Sequence, residues 1–208
     1  FSSNHLSFVK KDLSEIEIKP TAILCEPISR DTAPAIISGS LYSMSQFEDP
    51  NLLVLPSDHL INPDKNFRET ILKCLEESEN NKIITFGIKP TKPETGFGYL
   101  RLGSQEENAF AHKVEKFTEK PSLEKAKEFI ESNDYLWNSG IFAFTSKKLI
   151  KEAKQYCPSI LQHCEAALEN AYKDNGSIYL SSDDYSKSMK MSIDFALMEK
   201  TIDIFSLP

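Results

Sequence analysis

Several absences narrow the field before any motif is read. The 208 residues hold no CxxC pair, and no histidine stands at zinc-ligand spacing from Cys25, Cys74, Cys157 or Cys164. That excludes a structural zinc site and a disulfide framework, and it suits a reducing cytosol where each thiol is a small buried hydrophobe. Positive charge is short: 24 Lys and Arg against 31 Asp and Glu leave a net charge of −7. Binding driven by a nucleic-acid backbone is therefore excluded. No apolar run approaches the ~18 residues of a membrane span. The opening Phe1-Ser2-Ser3-Asn4-His5 lacks an initiator Met and the profile of a signal peptide. The last residues, Asp203 to Pro208, stop inside an apolar run, so both ends are expected to be cuts. Internal repeats and Gly-, Ser- or Pro-rich linkers are also missing, and one continuous domain is expected over residues 1–208. The composition, 40% hydrophobic and 26% charged, is that of an ordinary globular chain.

What is present alternates short apolar runs with longer amphipathic ones. Ala22 to Cys25, Leu52 to Leu55 and Ile83 to Ile88 are continuous apolar runs, the pattern of strands buried on both faces. Asp31-Thr32-Ala33-Pro34 pairs a capping residue with an early proline and reads as a helix start. Pro63-Asp64 opens a second helix, with Phe67, Ile71, Leu72 and Leu75 on one face. Strand–helix–strand–helix–strand predicts an α/β chain with a mostly parallel sheet flanked by helices. Further on, Phe97 to Leu102 and Lys113 to Thr118 alternate as an antiparallel extension. Ser122 caps a helix through Phe129, and Gly140 to Phe144 is another buried strand. Helices are expected over roughly 146–155, 157–173 and 192–200, with a polar break at Ser181-Ser182-Asp183-Asp184.

Ligands of open α/β sheets sit beyond the carboxyl ends of the strands, so the polar segments there are the candidates. Leu55-Pro56-Ser57-Asp58-His59 directly follows a buried strand. Asp58 reads either as a magnesium ligand or as a turn cap. Ser57-Asp58-His59 is not a catalytic triad, because consecutive residues of an extended segment point to opposite sides, and no G-x-S-x-G elbow occurs. Glu26 to Pro34 runs from a strand into a helix N-terminus, a place suited to anions or polar ligand edges. A carboxylate there matches the adjacent N1 and N2 donors of guanine, so Glu26 either selects that base or pairs with Arg30. A third group is composite. Gly96 and Gly98 bracket one aromatic, Glu119 and Lys120 offer an acceptor beside a point cation, and Asn138 supplies both donor and acceptor. Gly96-x-Gly98 lacks the third glycine of a dinucleotide fingerprint.

Six segments then occur in a telling order: Glu26-Pro-x-x-Arg30-Asp-Thr-Ala-Pro-Ala35, Leu55-Pro-Ser-Asp-His59, Phe86 to Tyr99, Phe117-Thr-Glu-Lys-Pro121, Trp137-Asn-Ser-Gly-Ile-Phe142 and Ser192 to Thr201. From about Phe8 to Pro208 the chain resembles the mannose-1-phosphate guanylyltransferase family, and most of all the bacterial type often fused to a mannose-6-phosphate isomerase. The resemblance implies a Rossmann-like domain that joins mannose 1-phosphate to GTP with Mg2+, giving GDP-mannose and pyrophosphate. It implies Asp58 as metal ligand and catalytic residue. Glu26, with the backbone of Thr32 and Ala33 and beside Arg30, becomes the nucleotide reader. Gly98, Glu119, Lys120 and Asn138 become the sugar-phosphate cradle, with Lys120 on the phosphate and so also catalytic. Asp194 reads as a helix cap, and Glu199 carries no assigned role. A homo-oligomer is compatible with the family, and any isomerase activity would belong to a separate C-terminal domain.

The family also has a Gly-rich loop of the form L-A-G-G-x-G-T-R-L-W-P and a second metal-binding Asp in W-x-D-x-G, and neither motif is in this sequence. The segment alone is therefore expected neither to turn over substrate nor to fold well. Two rivals carry their own signs: a nucleotidyltransferase for another base or sugar, and a non-catalytic regulatory subunit that binds sugar nucleotides. A glycosyltransferase would want a D-x-D motif after a strand, where Leu55-Pro-Ser-Asp-His offers one aspartate.

Overall fold

A computed structural model describes residues 2–61, 65–105 and 109–207. A helix, α1 (Leu6–Glu15), precedes β1 (Leu24–Cys25) and α2 (Thr32–Gln46). The α2 start falls at the expected place: Asp31 accepts from the Thr32 N–H at 2.8 Å, and Pro34 lies in the first turn where its missing N–H is harmless. Next come β2 (Asn51–Val54), α3 (Lys65–Ser78) and β3 (Ile83–Ile88). The expected helix opening at Pro63-Asp64 lies outside the described residues. The antiparallel hairpin β4 (Tyr99–Gln105) and β5 (His112–Thr118) follows. Ser122 then caps α4 (Leu123–Ser132) by accepting from the Lys125 N–H.

The long strand β6 (Tyr135–Thr145) leads into α5 (Ser146–Tyr156) and α6 (Pro158–Glu169). The helix expected to continue to 173 stops at Glu169, and the chain turns into a small hairpin, β7 (Tyr172–Asp174) with β8 (Ser177–Tyr179). The polar break at 181–184 forms most of a one-turn helix, α7 (Ser182–Tyr185), whose last side chain is buried. Over 192–200 the structure has a π-helical turn, Asp194–Met198, instead of an α-helix, and β9 (Ile204–Leu207) ends the described chain.

The chain is α/β, but its sheet is less parallel than the apolar runs suggest. One sheet has the order β2-β6-β3-β9-β5-β4, a smaller one β1-β8-β7. Among the described strand pairs β3–β9 and β1–β8 run parallel, as does the isolated bridge of Ser2 to Glu26, and the other pairs are antiparallel. The βαβ reading of β2, α3 and β3 gives the right direction, since both strands run antiparallel to β6. The slot between them is filled by β6, whose run Ile141 to Phe144 is buried throughout. Periodicity reports burial and not strand direction, which is why the inserted antiparallel strand was not anticipated.

Successive residues of the central strands alternate between two apolar layers. Ile83, Phe142, Phe144 and Ile204 pack with α2, α5 and α6, whereas Ile84, Ile141, Ala143 and Phe205 pack on the α3 side with Cys74. A third cluster, Tyr99, Ala126, Phe129 and Trp137, fixes α4 to the start of β6 and the β4 hairpin. A polar cleft forms at the strand ends.

Candidate active site

The cleft, about 280 Å³, opens where β6 leaves the β4 hairpin and crosses β3, with Pro56 and His59 of the turn after β2 on its far wall. A bulge shapes it. Thr85 pairs with Phe142 and Gly87 with Asn138, so three residues of β6 stand opposite Phe86 alone. Gly140 takes φ +73° within this bulge, a conformation open mainly to glycine. The Asn138 side chain thereby enters the cleft, and the backbone N–H of Asn138 donates to the Gly98 carbonyl at 2.8 Å.

Four residues grouped on sequence grounds meet here: Gly98, Glu119, Lys120 and Asn138 all line the cleft. A Cβ at position 98 would lie 2.6 Å from Glu119 Oε2 and 3.1 Å from Phe117 Cε1, so a larger residue there would displace the Glu119 carboxylate. Lys120 adopts φ +45°, uncommon for a residue with a side chain, and its N–H donates to the Phe97 carbonyl at 3.2 Å. Its ammonium stands 3.5 Å from Glu119 Oε1 and is half exposed. Burial, with the charge of Asp194 next, pushes the Glu119 carboxyl up to about 7 against the pull of Lys120. A carboxyl poised in that range can hold or yield a proton near neutrality.

The π-helical turn supplies parts of the site that sequence reasoning left unassigned. Asn138 Nδ2 donates to Asp194 Oδ1 at 3.0 Å, and the Glu119 N–H donates to Glu199 Oε1 at 2.7 Å. Ser192 Oγ accepts from the Phe195 N–H, so capping falls to Ser192 and the Asp194 carboxylate reaches across the cleft. Burial raises the Asp194 pKa, opposed by its own N–H, by Asn138 and by Lys120. Thr85 was also missed. Fully buried on β3, it donates to Asn138 Oδ1 at 2.8 Å or to the Ile141 carbonyl at 3.0 Å. A lone hydroxyl inside the run Ile83-Ile84-Thr85-Phe86 was the available signal.

An ion network in which Lys148 and Glu152 are buried and Asp203 is half-exposed braces this turn from behind. Lys148 Nζ lies 2.8 Å from Glu152 Oε1 and 2.6 Å from Asp203 Oδ2, and Thr201 donates to Glu152 Oε2 at 2.7 Å. Burial opposes the Lys148 charge, but bonds to Asp203 and Glu152 outweigh it and hold the ammonium above the usual lysine range.

Around Glu26 the polar groups are more fully used inside the chain. Glu26, nearly buried, accepts through Oε1 from the Tyr185 hydroxyl. Arg30, instead of pairing with Glu26, donates to the Ser186 carbonyl, and its Nε is buried without a partner. Thr32 Oγ1 accepts from the Ile193 N–H at 2.8 Å, and the Ala33 N–H donates to the Met191 carbonyl at 3.1 Å. Asp58 sits exposed in the turn after β2, on the loop that brings Pro56 and His59 to the cleft. Among the described residues, no three His, Cys, Asp or Glu side chains come together to cage a metal ion, and no helix is long and apolar enough to cross a membrane.

A helix-flanked sheet with a polar cleft at its strand ends defines a class, and residues 2–182 match the family model "Nucleotidyl transferase". The chain belongs to that family. Within it, the chain is 39% identical over 207 residues to the xanthan biosynthesis protein XanB of Xanthomonas campestris pv. campestris (strain B100), a match covering 100% of this chain and 44% of that one. It is 37% identical over 212 residues to a mannose-1-phosphate guanylyltransferase of Salmonella montevideo, again covering 100% of this chain and 44% of the relative. A crystal structure of mannose-6-phosphate isomerase from Helicobacter pylori superposes with a TM-score of 0.89 at 32% identity, covering 99% of this chain and 80% of that one. The chain thus spans less than half the length of these two curated relatives.

Proposed function

We propose that this chain is the nucleotidyl-transfer part of a mannose-1-phosphate guanylyltransferase of the cytoplasm, working on GTP and mannose 1-phosphate with Mg2+. The observation that carries the reading is the meeting of Gly98, Glu119, Lys120 and Asn138 in one cleft at the strand ends, in a chain 37% identical to a relative of that name. A phosphate oxygen of mannose 1-phosphate attacks the α-phosphorus of GTP. The new O–P bond forms as the bond to the β-phosphate oxygen breaks, and the electron pair leaves with pyrophosphate. No protein nucleophile is required, so the residues act by position and charge.

Lys120, a half-exposed cation beside Glu119, meets the sugar phosphate. Glu119 and Asn138 orient the hexose, and Gly98 lets the Glu119 carboxylate pack close to the backbone. Glu26, Arg30, Thr32 and Ala33 form the nucleotide side. Asp58 would hold Mg2+ together with phosphate oxygens. A single exposed carboxylate fits an ion that takes one or two carboxylates and completes its shell with phosphate and water. The ion would supply charge shielding on the phosphates. Isomerisation of mannose 6-phosphate, where the longer protein performs it, belongs under this reading to a separate domain.

The test is pyrophosphate release by the full-length protein, with GTP, ATP, UTP and dTTP each crossed with mannose 1-phosphate and glucose 1-phosphate. Activity confined to GTP with mannose 1-phosphate, and lost in Asp58→Asn, is expected. Activity with another nucleotide would remove guanine selection by Glu26. No release from any pair, with sugar nucleotide still bound, would replace the enzyme by a regulatory binding protein.

A further inference from the structure

Asn138 carries an ambiguity that its surroundings resolve. An asparagine amide offers an acceptor with two lone pairs and a donor with two hydrogens, and a half-turn exchanges them. Thr85 does not choose between the two orientations: its hydroxyl can donate to Asn138, or turn to the Ile141 carbonyl and accept. The Gly140 N–H, 3.3 Å from Oδ1, can only donate. The Asp194 carboxylate, 3.0 Å from Nδ2, accepts. Together they set the oxygen toward β3 and the nitrogen toward the π-helical turn.

Resting on the reading above, we propose that Asp194 is a positioning residue, whose hold on the Asn138 amide makes Asn138 present a hydrogen-bond donor to the bound sugar phosphate. On Oδ1 the Gly140 N–H takes one lone pair, and the Thr85 hydroxyl, when it is not turned to the Ile141 carbonyl, takes the other. Asp194 takes one hydrogen of Nδ2. What remains for the ligand is the second N–H, which matches an acceptor oxygen of a hydroxyl or phosphate. Asp194 can hold this position because its own segment is anchored: the Glu199 N–H closes the turn on the Asp194 carbonyl at 3.0 Å, and Thr201, bonded to the Leu197 carbonyl, ties the turn to Glu152 and Lys148.

The experiment uses the full-length protein labelled with 15N-asparagine, the Asn138 side-chain amide being assigned by its loss in Asn138→Ala. Asp194→Ala is expected to shift that amide and narrow the separation of its two protons. Asp194→Asn, which keeps an acceptor, should restore most of the separation and preserves the test should the alanine variant fail to fold. In turnover, Asp194→Ala should raise KM for mannose 1-phosphate about tenfold, with KM for GTP changed by less than about twofold. It should add almost nothing in an Asn138→Ala background. An Asn138 amide indifferent to Asp194, or an equal penalty in the Asn138→Ala background, overturns the proposal. If the wild-type protein does not use mannose 1-phosphate but the amide still answers to Asp194, the proposed substrate falls and the hold on Asn138 stands.

Discussion

The surroundings of Asn138 and those of Glu26 are both polar and both carry motifs of similar weight, yet they are built differently. Around Asn138 the partners fix one another and leave groups facing the cleft: an amide N–H, the Lys120 ammonium and a carboxyl raised to about 7. Around Glu26 the partners close on themselves, with Tyr185 on the carboxylate, Ser186 on Arg30 and Met191 on the Ala33 N–H. The difference teaches that a polar motif at a strand end announces hydrogen bonds without saying whether a ligand or the chain makes them. One segment serves both ends. Met191 and Ile193 hold the α2 start, while Asp194 and Glu199 hold the cradle.

If the cradle owes its shape to the brace behind it, the largest effect belongs to Lys148→Met. Two carboxylates lose their shared cation, and a loss of about 3–5 kcal/mol is expected. Amide exchange should quicken more at Glu119 than at Ala33, and equal quickening would erase the contrast between the regions. Next in size, Gly98→Ala forces a methyl against Glu119 Oε2. A fall of about 100-fold in kcat/KM is expected, with a smaller change in melting temperature. Wild-type kinetics from that variant would mean a loose cradle.

Tyr185→Phe asks the opposite question of the Glu26 region. It leaves a nearly buried carboxylate without its donor, and denaturant unfolding should register about 1–3 kcal/mol. KM for mannose 1-phosphate should stay close to the wild-type value. The smallest effect is the pH dependence of Glu119. Its carboxyl lies raised from 4.5 to about 7 in the folded chain, which therefore binds the proton more tightly than the unfolded one. The contribution to stability is present below 4.5 and is lost as the pH rises to about 7. Melting curves at pH 5 and pH 8 should separate less in Glu119→Gln than in the wild type.

Much of this was legible in the residues. The α2 cap, the Ser122 cap, the β4–β5 hairpin and the buried runs of β3 and β6 follow from local chemistry, and local chemistry is what a sequence displays. Strand direction was not legible, because β6 enters between β2 and β3 from far along the chain. Asp194 looked like a helix cap because capping is decided within a few residues, whereas its bond to Asn138 spans 56 positions. Lys148 gave the weakest sign. It follows another lysine on an amphipathic helix, where lysines are usually exposed, and only Glu152 four residues on hinted at a pair.

The wide turn has a consequence in angular terms. An α-helix advances about 100° per residue, so residues five apart stand about 140° apart around its axis. Asp194 and Glu199, five apart, would then address different sides of the molecule. The bond from the Glu199 N–H to the Asp194 carbonyl closes a larger ring and sets Glu199 above Asp194. One extra residue per turn acts as a phase correction, turning two carboxylates toward Asn138 and Glu119 together. On an ordinary α-helical turn the same alignment would need the two carboxylates four residues apart, about 40° around the axis.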